Sequence, residues 1–381
     1  MNKTLPPLEL YVHIPFCIKK CAYCDFLSGP AGREEQKAYF HALLEEIRNL
    51  PDFFGEQDTH EVVSVFIGGG TPSTVDEHWI GEILDHLKKK FRISPDAEVT
   101  IEANPGTLTR EKLDCYISHG VNRLSLGLQS PREAELRMLG RIHTYEQFLE
   151  SYTMARTAGF SNINVDLMFA IPEQTREGWI QNLRTAAELR PEHISAYSLI
   201  IEEGTPFYER ELVLPDEDTE YLMYEDTADV LAQYGYRQYE ISNYAMEGYR
   251  CRHNLGYWKR TEYLGIGLGA ASLYDGVRFS NTRDMKEYLQ KSKSPQDIRK
   301  DRTKLTVREQ MEEFMFLGLR MTEGIREDDF EEQFGITLSQ VYGTILDKYE
   351  KMGFLEQSGG YWRFTRPGIH VSNSILADFI E

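Results

Sequence analysis

The chain has 381 residues, enough for one large core and a smaller domain, and is 41% hydrophobic, as globular chains are. Its net charge of −19 excludes the broad basic face that nucleic acid or an anionic membrane surface requires. No apolar run reaches the ~20 residues of a membrane span, and the opening MNKTLPPLEL has no apolar signal region, so a cytoplasmic location is expected.

From Leu8 onward one phrase recurs: a short β-branched run, a loop rich in Gly, Pro, Asn or Gln, then an amphipathic helical stretch. The runs cover 8–14, 62–67, 98–103, 123–128, 163–168 and 193–199, and helices are predicted over 33–49, 76–90, 109–119, 144–158 and 175–189. Such alternation implies a parallel sheet with right-handed crossovers. The unusual polar motifs HIPFC, GGGTP, EANPG, LQSP and DLMFAIP each follow the end of a run. Loops spread over most units gather at the C-terminal mouth of a barrel, whereas an open sheet concentrates them at one switch point. The expected fold is therefore α/β, a partial barrel of six strand–helix units spanning residues 1–235.

Residues 236–300 read as an accessory segment of short strands, and the polar stretch 290–304, QKSKSPQDIRKDRTK, reads as a boundary. Beyond it, TVREQMEEFMFLGLRM, EDDFEEQF and LSQVYGTILDKYEKM read as helices, and FLEQSGGYWRFT as a hairpin with its turn at SGG. Residues 301–381 are thus expected to form a small helical, winged-helix-like domain. With 9 Lys and Arg against 15 Asp and Glu, this module is expected to pack or dock a partner rather than bind nucleic acid.

The stretch HIPFCIKKCAYCDF holds Cys17, Cys21 and Cys24, while Cys115 and Cys251 lie far away. Burial as small hydrophobes does not suit a segment carrying Lys19 and Lys20 between a strand and a Gly/Pro-rich loop. A disulfide cannot use all three thiols and does not suit the expected compartment. Structural zinc wants a fourth ligand, for which His13 is the near candidate. A [4Fe–4S] cluster takes one thiolate per iron, so three thiolates leave one iron open to a small molecule.

The C-x3-C-x2-C spacing, with Tyr23 before the last cysteine, resembles the radical S-adenosylmethionine (SAM) superfamily. In that family the open iron chelates the amino and carboxylate groups of SAM, and reduction of the sulfonium yields a 5′-deoxyadenosyl radical. YVHIPFC, GGGTP, IEANPG, LGLQS, GRIH and VDLMFAIP narrow the resemblance to one subfamily. It comprises the oxygen-independent coproporphyrinogen III oxidases (HemN) and their relatives, the haem chaperones (HemW), and the likeness runs over essentially the full length.

The resemblance implies cluster ligation by Cys17, Cys21 and Cys24. It places Tyr11 at the methionine end of SAM, Tyr23 near the adenine, and Gly69, Gly70 and Thr71 at the amino and carboxylate groups. Glu102, Gln129 and Asp166 are implied as further contacts, with Asp166 suited to the ribose hydroxyls. Arg141 is expected to face the SAM carboxylate as a bidentate donor. Ser198 and Ala271 match further contacts loosely.

Three features separate the two branches of the subfamily. The oxidases carry a fourth cysteine two residues beyond the third, where this chain has Phe26. They also carry an N-terminal arm, whereas here the first run begins within ten residues. Finally CRHNLGYW, residues 251–258, matches the HNxxYW signature of the chaperones, so His253 is expected to ligate haem with Tyr257 and Trp258 beside it. For a lone His beside aromatics, the plainer reading is a hydrogen-bonded core residue. Together these features imply haem as cargo and an apo-haemoprotein acceptor, such as a membrane-associated respiratory enzyme. They also allow a homodimer. Radical decarboxylation of coproporphyrinogen III, or radical chemistry on another substrate, are the alternatives.

Overall fold

The computed structural model describes residues 5–50 and 60–380. Each sequence run becomes a strand: β1 Pro7–Ile14, β2 Glu61–Gly69, β3 Ile93–Ala103, β4 Arg123–Gln129, β5 Ile163–Phe169 and β6 His193–Ser198. Helices follow at Arg33–Asn49, Glu77–Lys90, Arg110–Ser118, Tyr145–Ala158 and Arg176–Glu188. Their starts are fixed by side chains that accept from free backbone N–H groups, such as Asp76, Thr109, Thr144 and Thr175.

β1 to β6 lie parallel in sequence order. After them come β7 Arg237–Gln238, β8 Asn243–Ala245, β9 Glu262–Ile266, β10 Ala271–Tyr274, β11 Val277–Asn281 and β12 Arg299–Lys304. β8 and β7 extend the sheet beyond β6, while β9 adds a seventh parallel strand beside β1 and leads on to β10, β11 and β12. The sheet ends at β7 and β12 without closing, so the barrel is partial. The stretch 290–304, expected as a boundary, instead ends in the edge strand β12, whose four outermost residues are all exposed. An edge strand needs no apolar alternation, and its charges discourage further pairing.

Strand alternation sets two different faces. Leu8, Leu10, Val12 and Ile14 of β1 are fully buried against the outer helices, with Tyr39, Phe40 and Leu43. The intervening Glu9, Tyr11 and His13 face the barrel interior, in register with Ser64, Phe66 and Gly68 of β2. β3 to β6 continue this polar lining with Glu98, Thr100 and Glu102, Arg123 and Ser125, Asn164 and Asp166, and His193 and Ser195. A polar interior is costly unless its groups find partners, and the two ends of the barrel meet that demand differently.

The C-terminal helices Val307–Gly318, Glu327–Phe334 and Leu338–Lys351 pack with a three-stranded sheet of β13 Ile325–Arg326, β14 Leu355–Ser358 and β15 Tyr361–Phe364. Met315, Phe330, Leu346 and Trp362 form a core of their own. The unit docks against the barrel floor, where Glu313 accepts from Arg260 (3.0 Å) and Arg278 (2.8 Å) and the Thr322 N–H donates to Tyr239 O (3.0 Å).

Candidate functional site

The loop after β1 is pinned from both sides. Cys17 N donates to Gly29 O (3.1 Å), and on the next loop Gly70 N and Thr71 N donate to Ile14 O (2.8 Å) and Phe16 O (2.7 Å). This closeness requires the glycines of GGGTP. Gly69 has φ +112°, and a Cβ there would stand 2.4 Å from the His13 ring; at Gly70 it would stand 2.5 Å from Phe16 O. Their close approach is thus first of all to their own chain.

The loops enclose a cavity of about 370 Å³ at the C-terminal ends of the strands. Cys17, Cys21 and Cys24 line one wall, with Tyr23 among them. Gly69, Gly70, Thr71 and Glu102 line a second; Gln129, Arg141, Asp166 and Ser198 close the rest. The three thiols act electrostatically on one another, and burial pushes those of Cys17 and Cys24 up. Among the described residues, no three His, Cys, Asp or Glu side chains converge on one ion-sized point. Three thiolates meet the one-thiolate-per-iron need of a [4Fe–4S] cluster with one iron left open, and fall one short of a closed structural zinc site. His13 does not supply a fourth ligand here: its Nε2 donates to Leu27 O (2.9 Å) and its Nδ1 accepts from Tyr11 (3.0 Å).

Glu102 accepts from Gly69 N (3.0 Å). Burial, aided by the neighbouring Asp166 carboxylate, lifts its carboxyl to about 7. Asp166 accepts from Asn164 (2.8 Å) and Ser125 (3.2 Å), and burial raises its carboxyl too. Gln129 has φ +66° at the irregular end of β4, a backbone conformation that side chains rarely adopt. Tyr23, between the thiols, is raised by burial, while the nearby Arg141 opposes that rise.

Arg141 Nη2 donates to Asn104 Oδ1 (2.6 Å) and Gly127 O (2.9 Å), and Nη1 points at Cys21 Sγ (3.6 Å). Its guanidinium is thus engaged by protein at both ends rather than presented whole as a bidentate clamp. Asn104 is the residue that sequence reasoning missed. It lines the cavity and ties Arg141 to Thr71, donating to Thr71 Oγ1 (2.8 Å). Its signal was its place directly after the carboxylate-bearing strand end, in IEANPG.

Two expected residues are not brought to this cavity. Tyr11 lies one layer below, stacked on Phe66 with centroids 6.4 Å apart. Ala271, matched only loosely, lies on β10 paired with Ser280. Phe26 stands 63% exposed at the cavity rim.

His253 lies elsewhere. It sits at the opposite end of the barrel, on the helix Arg252–Trp258 that fills the floor. Its ring is buried, with Nδ1 at 2.8 Å from Ser64 Oγ and Nε2 at 3.1 Å from Tyr257 Oη. Phe66 stacks on one face (5.1 Å). Desolvation drives its pKa down to about 3, and burial lifts that of Glu9, 3.8 Å away, to about 9. Both are uncharged near neutrality, so their contact is not an ion pair there. In this conformation His253 has the geometry of a hydrogen-bonded core residue and offers no free nitrogen to an iron.

A polar partial barrel with three thiols at its mouth defines a class, the radical SAM proteins, and the comparisons agree. Residues 11–186 match the radical SAM superfamily profile and residues 305–371 the HemN C-terminal domain profile. The chain is 37% identical over 384 residues to the heme chaperone HemW of Escherichia coli, covering 99% of each. To that of Haemophilus influenzae it is 36% identical, covering 99% of this chain and 98% of the relative. The chain belongs to the HemW family. The solved structure of coproporphyrinogen III oxidase (HemN) from Escherichia coli shares its fold, with a TM-score of 0.85 at 24% identity, covering 98% of this chain and 90% of that one. No helix among the described residues is long and apolar enough to cross a membrane.

Proposed function

We propose that the chain is a haem carrier that holds a SAM-ligated [4Fe–4S] cluster at the barrel mouth and delivers haem to an apo-haemoprotein in the cytoplasm. The observation that carries this reading is full-length similarity to proteins named heme chaperones. The three-thiol cavity, with Phe26 where the oxidases have a cysteine, supports it. Cys17, Cys21 and Cys24 would hold the cluster, whose open iron binds SAM. Glu102, Asp166, Gln129 and the Gly69–Thr71 segment would contact SAM, with Tyr23 beside the cluster.

His253 remains the haem ligand of this proposal. For its imidazole to reach an iron, the helix Arg252–Trp258 has to leave the floor and release the contacts to Ser64 and Tyr257. A homodimer, in which one copy's floor helix is drawn out by another, is compatible with this requirement.

The test is haem titration of the anaerobically reconstituted protein, followed by desalting and a Soret spectrum. About one haem per chain is expected in wild type and none in His253→Ala. Equal retention by both would remove His253 as the ligand. Retention by neither, with turnover of coproporphyrinogen III, would replace the carrier by the oxidase.

A further inference from the structure

We propose that Arg141, set in place by Asn104, donates a hydrogen bond to the Cys21 sulfur and thereby raises the reduction potential of the cluster. This rests on the cluster reading above but assigns Arg141 a role other than contact with SAM, and it makes Asn104 a positioning residue.

The geometry is built from both sides. Asn104 spends its amide N–H on Thr71 Oγ1 (2.8 Å), which turns its carbonyl oxygen toward Arg141 Nη2 (2.6 Å). Gly127 O takes a second bond from Nη2 (2.9 Å). A planar guanidinium held at two points cannot rotate freely, so Nη1 stays directed at Cys21 Sγ, 3.6 Å away. The junction leaves no space for a side chain at residue 127, where a Cβ would stand 2.8 Å from Asn104 Oδ1 and 3.0 Å from Arg141 Nη2.

The two chain segments are also bolted together. Ala22 N, next to Cys21, donates to Leu139 O (3.2 Å), two residues before Arg141. Burial opposes the charge of the guanidinium, while Tyr23 and Cys21, each acting electrostatically and through a hydrogen bond, favour it. A donor to a ligating thiolate withdraws electron density and favours the reduced cluster, one of the recognised determinants of iron–sulfur potentials.

The experiment is a potentiometric titration of the reconstituted full chain without SAM, followed by visible absorbance and electron paramagnetic resonance. SAM is left out so that a changed SAM contact cannot move the result. Arg141→Gln is expected to shift the midpoint negative by about 59 mV, a tenfold change in the reduced-to-oxidised ratio at fixed potential. Asn104→Ala keeps the charge but frees the fork, and is expected to shift it the same way by less. Arg141→Lys, with charge but no fork, should resemble Asn104→Ala.

Midpoints of Asn104→Ala and Arg141→Gln that both coincide with wild type would overturn the inference while leaving the cluster in place. If Arg141→Gln fails to take up iron, Asn104→Ala, which keeps all three thiols, decides alone. Wild type without iron–sulfur absorbance would overturn the cluster reading itself, and this inference with it.

Discussion

The mouth and the floor of the barrel are lined by the same strands only a few residues apart, and both are polar, yet they satisfy their polar groups in opposite ways. On β3, Glu102 faces the mouth with one backbone donor, while Glu98, four residues earlier, takes Cys251 Sγ (3.3 Å), Arg252 N (3.1 Å) and His253 N (3.2 Å). At the mouth, thiols, carboxyls and a constrained Gln129 surround empty volume. At the floor, the helix Arg252–Trp258 fills the barrel, and donors at its N-terminus go to Glu98. Between them runs one chain of hydrogen bonds, from Asp166 through Asn164 (2.8 Å) and His193 (2.6 Å) to Tyr239 (2.8 Å) and Cys251 N (3.2 Å). The mouth is arranged to receive a ligand; the floor is arranged to be closed. A motif expected to bind haem thus belongs, in this conformation, to the closed end.

The sharpest division between the ends is in the thiols. Alanine at Cys17, Cys21 or Cys24 is expected to abolish the iron–sulfur absorbance, because three thiolates are all the mouth offers. Cys115→Ala and Cys251→Ala should leave it intact. Cys115 lies on the outer helix Arg110–Ser118, and Cys251 is buried in the floor beside Glu98, its thiol pushed up by desolvation. Iron content and absorbance decide this, and a full complement in any of the three mouth variants would defeat the assignment.

The next largest effect belongs to the floor. Glu98→Ala strips the N-terminus of the helix Arg252–Trp258 of its acceptor and leaves the fully buried Arg123 without one of the negative groups acting on it. Leaving Cys251 Sγ, Arg252 N and His253 N without their acceptor costs about 1–3 kcal/mol. Denaturant melts measure that loss. If the floor helix has to move for haem to enter, the same variant, assayed below its melting point, should take up haem faster. An unchanged stability would mean that the floor is held by packing alone.

Much of this division was legible in the sequence. The six parallel strands showed as β-branched runs because both their faces are covered, and the mouth showed because chemistry-bearing motifs followed strand ends. Asn104 was overlooked because it carries no charge and its role depends on what Arg141 needs. β12 was overlooked because the edge strand RKDRTK has no apolar face to show. The placement of His253 was not legible at all. A seven-residue helix after two short antiparallel strands can lie on either side of a sheet, and only the interior row of Glu9, Ser64 and Glu98 decides which. His13 and His253 look alike as sequence candidates, and both turn out to have their two ring nitrogens in use.

The last prediction tests the electrostatics of the closed end. Glu9 titrates near 9 in the fold against an ordinary 4.5, so the stability linked to its neutral form is fully present below about 4.5 and is lost as pH rises through about 9. His253 titrates near 3 against an ordinary 6.5, so its contribution is present above about 6.5 and is lost as pH falls toward 3. The two groups therefore bound stability from opposite sides. Glu9→Gln keeps the shape and removes the titration, so it should flatten the alkaline limb of a melting-temperature profile while leaving the acid limb where it was. His253→Gln should flatten the acid limb instead. A Glu9→Gln profile parallel to wild type from pH 5 to 9 would show that water reaches the floor and that the end is not closed in solution. The route to haem would then need no movement of the helix.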